Sequence, residues 1–199
     1  MQALVLASGS QYRFELLARL GLAFKTISPD IDETPIAEEP ADTLAVRLAM
    51  QKAHAAQAAM PDVTGLIIAS DQVASLDKPH GEQPLLGKPV THQAACEQLS
   101  SMSGQAVKFY TALHILNGAS GATYDALDVT TVTLRTLDQA SIERYVTRDQ
   151  PLDCAGSFKM EALGISLFES IDTRDPTALI GLPMLSVCKG LRHFGLRLP

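Results

Sequence analysis

Residues 4–21 read LVLASGSQYRFELLARLG. An apolar run over 3–7 predicts a strand, and Ser8-Gly9-Ser10 a tight turn. A helix follows over 11–20, with Phe14, Leu17 and Ala18 on its buried face and Gly21 as the C′ residue. A strand that feeds a helix through so short a turn opens an α/β unit. The start of such a helix presents unpaired N–H groups and the positive end of its dipole. Small residues at Ser8 and Ser10 let an anion approach, and Arg13, one turn in, carries a fork that fits phosphate oxygens. An ordinary serine N-cap beside a solvated arginine accounts for the same residues. The spacing is neither that of a P-loop nor GxGxxG.

The rest of the chain continues the alternation. A second strand is expected over 24–28, then an acidic, proline-bounded loop over 29–40. Residues 43–60 predict a helix, Leu44 and Leu48 stacking at i+4 while Ala45, Ala49 and Ala53 allow close packing. The apolar run over 65–70 predicts a buried strand that ends on Asp71, and 77–84 a surface loop. Thr91 suits the N-cap of a helix carrying Ala95, Leu99 and Met102, closed by Ser103-Gly104. Alternation over 107–116 and 123–134 predicts a long hairpin about the turn at 117–121. A helix over 140–147 and a strand over 165–168 follow. The last helix has Pro183 at its first position and uses Met184, Val187, Cys188 and Leu191. The expected class is α/β, a mixed sheet flanked by helices. No linker interrupts the pattern, so 1–199 is read as a single domain.

Composition bounds the function. Sixteen Lys and Arg against 22 Asp and Glu give a net charge of −6, which disfavours broad binding to nucleic acid or anionic membrane. No apolar run approaches the ~18 residues of a membrane span, and the start lacks a basic segment ahead of its apolar run. Cys96, Cys154 and Cys188 show no zinc-type spacing, which points to a reducing, cytoplasmic compartment. The five histidines show no metal spacing either and read as surface or core residues. Cys154 has small or apolar neighbours and no adjacent His, so a packed thiol is expected there, not a nucleophile.

Several residues suit phosphate chemistry. Asp30, Asp32 and Glu33 crowd three carboxylates that repel unless a cation sits among them, and a hard divalent ion serves. A solvated acidic loop is the plainer reading. Asp71, at the end of a strand, is placed to hold a metal or to accept a proton from water. Lys52 continues the Leu44–Leu48 stripe, so it either snorkels or meets an anion. Lys88 lies in the stiff turn Leu86-Gly87-Lys88-Pro89.

Together these segments resemble the Maf-like nucleotide pyrophosphatase family. The carrying stretches are LVLASGSQYRFELLARLGL, DIDET, ASDQV, LGKP, QLSSMSGQAVKFYT, DCAGSFKMEALGISLFE and DPTALIGLP, in one order from Leu4 to about Gly195. The resemblance implies two lobes around a cleft, like the inosine triphosphate pyrophosphatases. It implies hydrolysis of a nucleoside triphosphate to monophosphate and pyrophosphate, dependent on Mg²⁺ or Mn²⁺, by a cytoplasmic homodimer. It matches Asp71 to the catalytic carboxylate and Arg13, Glu33, Lys52 and Lys88 to the other charged site residues, with Glu33 and Asp71 toward the metal. At the substrate-selecting positions stand Tyr12, Gln72 and Glu161, which resembles the branch acting on 7-methyl-GTP. The branch acting on dTTP and UTP carries Arg, Thr and Gln there. The alternatives are a pyrophosphatase for dTTP, UTP or another noncanonical nucleotide, and a nonenzymatic nucleotide-binding regulator of cell division.

The chemistry of the base supports the same branch. Guanine offers two adjacent donors, and a carboxylate at Glu161 accepts both. Methylation at N7 makes the ring cationic, which favours stacking on Tyr12 by about 0.5–2 kcal/mol and attraction to Glu161.

Overall fold

The computed structural model describes residues 3–76 and 84–198. Its residues divide into two compact units. The first comprises the chain up to Asp71, Thr111–Asp128 and everything from Asp175 onward; the second comprises Gln72–Tyr110 and Val129–Arg174. The expected loop over 77–84 lies, except for Pro84, outside the described residues.

The first unit is built on β1 (Leu4–Ala7), which pairs parallel with β2 (Lys25–Ile27) and with β3 (Leu66–Leu76). The strand order there is β2-β1-β3-β5-β6, where β5 is Ala106–Asn117 and β6 is Thr123–Leu134. The side-chain period of two sends alternate residues to opposite faces. Leu4, Leu6, Leu66, Ile68, Leu113 and Ile115 share one apolar cluster with α1 (Gln11–Ala18) and α5 (Met184–His193). Val5, Ala7, Ile67 and Ala69 share another with Ala53 and Ala56 of α2 (Ala41–Ala59). Both faces are therefore covered, which is why β1 and the first four residues of β3 read as unbroken apolar runs. Gly190 lets α5 lie close on the sheet: a Cβ there would meet Ile115 Cδ1 at 2.5 Å and Tyr124 at 2.7 Å.

The second unit holds β4 (Leu85–Leu86), antiparallel to β3, and β7 (Phe168–Asp172), antiparallel to β6. Two helices pack together in it, α3 (His92–Met102) and α4 (Gln139–Asp149), each begun by a side-chain cap, Thr91 and Asp138. Its core carries Phe109 against Phe158 and Phe158 against Phe168, with ring centroids 5.3 and 4.7 Å apart. The fold is thus α/β with parallel and antiparallel pairs and flanking helices.

Five local expectations are corrected. On α1 the buried residues are Leu16 and Leu17, while Phe14 is 40% exposed and Ala18 is exposed. Phe14 instead tilts against Phe24, at 5.2 Å between rings. Asp71 does not end its strand, because β3 runs on to Leu76. Residues Leu163–Leu167 form a 3₁₀ turn and only Phe168 begins a strand. Pro183 is the N-cap of α5, not its first residue, and Gly190 rather than half-buried Cys188 completes the buried face.

Candidate active site

The first unit holds seven of the expected residues: Ser8, Ser10, Tyr12, Arg13, Glu33, Lys52 and Asp71. Ser8 is buried at the end of β1, and its Oγ accepts the Ser10 N–H at 3.1 Å and Arg13 Nη1 at 3.4 Å. Ser10 is the N-cap of α1, its Oγ taking the Arg13 N–H at 3.4 Å. The plain N-cap reading of Ser10 therefore holds, and the hydroxyl of this turn that meets the Arg13 guanidinium is Ser8. Arg13 Nε donates to the Gly181 carbonyl at 2.8 Å. That carbonyl also accepts from Ser70 Oγ at 3.0 Å, next to Asp71 on β3. Gly181 has φ 122°, which favours glycine, and this conformation aims its carbonyl at both donors.

Asp71 lies on the same unit, 6% exposed. Lys52, from the inward stripe of α2, places Nζ 2.5 Å from Asp71 Oδ1 and 2.7 Å from Glu33 Oε1. The stripe reading of Lys52 is thus resolved toward an anion: the amine meets two carboxylates. Glu33 is the carboxylate of the acidic loop that reaches it. Asp32 turns back on its own chain, accepting the Thr34 N–H at 2.9 Å; that hydrogen bonding is the main cause holding its carboxyl below the usual range. Burial pulls the Arg13 guanidinium below its ordinary value, opposed by Asp71 and then Glu33, whose negative charges push it up. Arg13 therefore sits in the field of both carboxylates.

A hard divalent cation asks for oxygen donors with one or two carboxylates among them. Glu33 and Asp71 meet that demand. Their oxygens converge on a single cationic atom, and the Glu33 side chain is 56% exposed, leaving a way in from solvent.

The bracing of this site has no local sequence signature. Asp175 is 2% exposed; its carboxylate accepts the Thr177 N–H at 3.0 Å and the Leu185 N–H at 2.6 Å. Thr177 Oγ1 in turn accepts the Met184 N–H at 2.9 Å. These bonds fix the bend from which Gly181 reaches Arg13. The motif DPTALIGLP was visible, but its partner lies far away in the sequence.

The loop that carries Glu33 is held from α2. Arg47 grips Glu39 with two bonds of 2.7 Å and the Thr34 carbonyl at 3.1 Å. The Arg47 hydrogen bonds are the main reason the Glu39 carboxyl is held down to about 2, below its usual 4.5. The clamp is therefore complete above about pH 4.5 and weakens only as pH falls toward 2. Arg47→Ala is expected to lower kcat/KM several-fold with little change in thermal midpoint, and to expose the loop over 29–40 to protease. Steady-state kinetics and timed digestion check both.

Tyr12 is half-buried on α1 of the first unit. Gln72, Lys88 and Glu161 belong to the second unit, Gln72 half-buried on β3, Lys88 and Glu161 exposed. Cys154 is half-buried, with its Sγ 3.5 Å from Asp153 Oδ1. None of the three cysteines forms a disulfide. Burial, followed by Glu143, pushes the Cys96 thiol up to about 11. One reading is overturned here. His92 and Cys96 do have a metal spacing, i and i+4 on α3, and their donor atoms lie within 4.8 Å of each other and of Glu143.

A family profile described as Maf-like protein matches residues 3–194. The chain belongs to this family. A 7-methyl-GTP pyrophosphatase of Pseudomonas putida is 52% identical over 199 residues, covering the whole of both chains. A nucleoside triphosphate pyrophosphatase of Acinetobacter baylyi is 48% identical over 197 residues, 98% of this Maf-like chain and 97% of that one. A 7-methyl-GTP pyrophosphatase of Xanthomonas axonopodis is 48% identical over the full length of both. Among solved structures, the Ham1 protein of Staphylococcus aureus shares the fold, with TM-score 0.53 and 16% identity over 94% of this chain and 98% of that one. Among the described residues, no helix of this Maf-like chain is long and apolar enough to cross a membrane.

Proposed function

We propose that this chain hydrolyses a modified nucleoside triphosphate, 7-methyl-GTP foremost, to the monophosphate and pyrophosphate. The carrying observation is Lys52 held between the carboxylates of Glu33 and Asp71, with Arg13 in their field. The names of relatives 48–52% identical support the same activity. Clearing such nucleotides keeps them out of nucleic acid.

A water attacks the α-phosphorus, the bond from that phosphorus to its bridging oxygen breaks, and pyrophosphate leaves. Asp71 accepts the proton that the water loses. Arg13 and Lys52 neutralise charge on the phosphates as it shifts onto the leaving group. Lys88 shares that role by its place in the family motif. Ser8 and Ser10 border the approach of the phosphates. Glu33 and Asp71 are the residues that would hold Mg²⁺ or Mn²⁺, which when bound supplies Lewis-acid polarisation of phosphate oxygens. The protein works in the cytoplasm as a homodimer, on a free nucleotide and not on nucleic acid or membrane.

Base choice is assigned to Tyr12, Gln72 and Glu161. Tyr12 stacks on the cationic ring and Glu161 accepts from the two guanine donors. Glu161→Gln preserves size but removes the charge and one acceptor. It is expected to cost 7-methyl-GTP about 1–3 kcal/mol in kcat/KM, as for a hydrogen bond to a charged group, and a pyrimidine nucleotide much less. Tyr12→Ala should hurt 7-methyl-GTP more than GTP. Equal losses on 7-methyl-GTP, GTP and dTTP would remove these residues from base selection. The activity itself is tested by pyrophosphate release across a nucleotide panel with and without Mg²⁺ and Mn²⁺. Preference for dTTP or UTP would move the chain to the other branch. Binding without any hydrolysis would make it a regulator.

A further inference from the structure

A surface cavity of about 580 Å³ opens on the second unit between α3 and α4 and is lined by His92, Cys96, Glu97, Ser100, Gln139 and Glu143 among others. We propose that His92, Cys96 and Glu143 form a binding site for a zinc-class divalent ion that ties α3 to α4.

The donor set is mixed: one imidazole, one thiol and one carboxylate. Borderline-soft Zn²⁺ takes this set, whereas Mg²⁺ and Ca²⁺ keep to oxygen. His92 and Cys96 stand at i and i+4, so they share one face of α3, and Glu143 comes from α4. Cys96 Sγ lies 3.3 Å from Glu143 Oε2 and 3.8 Å from His92 Nδ1. A tetrahedral zinc ion with sulfur at about 2.3 Å and nitrogen and oxygen at about 2.0 Å spaces its donors roughly 3.3–3.6 Å apart. The two distances from sulfur thus stand close to the edges of such a tetrahedron, and all three donors lie within 4.8 Å of one another. The other ring nitrogen of His92 faces α4: Nε2 lies 3.3 Å from Thr147 Oγ1 and 3.6 Å from Glu143 Oε1, the carboxylate's second oxygen. A partner on the far nitrogen fixes the ring and leaves Nδ1 for the ion.

Charge and access agree with this. Two carboxylates, Glu97 and Glu143, line the cavity, and no lysine or arginine is among its described lining residues. Burial is graded from buried Cys96 through half-buried His92 to exposed Glu143, so the soft ligand sits at the bottom and the ion enters from solvent. As the sulfur–metal bond forms, the thiol proton leaves to water, and a water fills the fourth position.

The test uses the full chain freed of metal by chelation, titrated with Zn²⁺ or Co²⁺ alone. One equivalent per chain beyond any held at Glu33 and Asp71 is expected to bind, counted as the difference between the native chain and Cys96→Ala. Cobalt should show a thiolate-to-metal charge-transfer band that Asp71→Asn retains and Cys96→Ala loses. His92→Ala should weaken binding at least about tenfold. Zinc at a hundredfold excess over its Kd should raise the thermal midpoint by roughly 5–10 °C in the native chain and much less in His92→Ala. Zinc should also protect Cys96 from alkylation, read by peptide mapping on the native chain, so the outcome does not hinge on a variant folding. The proposal is overturned if no stoichiometric ion binds, if the band survives in Cys96→Ala, or if zinc leaves Cys96 alkylation unchanged. None of these results bears on hydrolysis at Asp71, so either site can fail alone.

Discussion

Asp71→Asn should lose at least about 10²-fold in kcat, the range expected when a positioned acid–base group is removed. The change conserves shape. It leaves Lys52 with Glu33 at 2.7 Å, so the amine keeps one carboxylate partner. What disappears is the acceptor for the water's proton and one of the two oxygens facing the amine. The loss should fall on turnover more than on KM, because the phosphates are met by Arg13 and the lysines. Pyrophosphate release under saturating nucleotide, with a thermal melt beside it, separates chemistry from folding. A stable variant with near-native kcat would take Asp71 out of the mechanism.

Lys52→Met is expected to combine two losses. The Lys52 side chain is 11% exposed and that of Asp71 9%, so truncating the amine strands a carboxylate in the interior. Breaking a buried pair from one side costs about 3–5 kcal/mol. The lower end applies, since the Glu33 half of the bridge is largely solvated and worth little. For a chain of this length that is a fall in thermal midpoint of roughly 6–12 °C. The double variant with Asp71→Asn should regain much of the stability but none of the activity. If the single variant melts like the native chain, Lys52 and Asp71 are not a coupled pair.

What the sequence revealed depended on how local the physics was. The i+4 ladder of Leu44, Leu48 and Lys52 is a property of one helix, and it located Lys52 on the buried face where the amine meets its carboxylates. The apolar run before Asp71 located the strand but not its length, because Gln72 and the residues after it are also tolerated in a strand. Residues 163–167 alternate like a strand, yet Gly164 lies so close to the Lys159 backbone that a Cβ would meet its carbonyl at 2.4 Å, and the chain turns. Short apolar runs carry that ambiguity. The bracing by Asp175 and Gly181 was not legible, since a carbonyl has no sequence signature and its partners lie on β3 and α1. The pairing of His92 with Cys96 was legible as an i+4 spacing; only Glu143, brought from α4, gives it meaning.

The anchor of Arg13 has a consequence for how the protein comes into being. Its carbonyl partner is made 168 residues later. At ordinary translation speeds of 5–20 residues per second, the interval is roughly 10–30 s. During that time the nascent chain carries Ser8, Arg13, Glu33, Lys52 and Asp71 but has no Gly181 to hold the guanidinium and no Asp175 to shape the bend. A polypeptide still on the ribosome thus lacks the anchor of its first helix. A prematurely stopped product that ends before Asp175 would display most of the sequence motifs without the contacts that hold Arg13 in place.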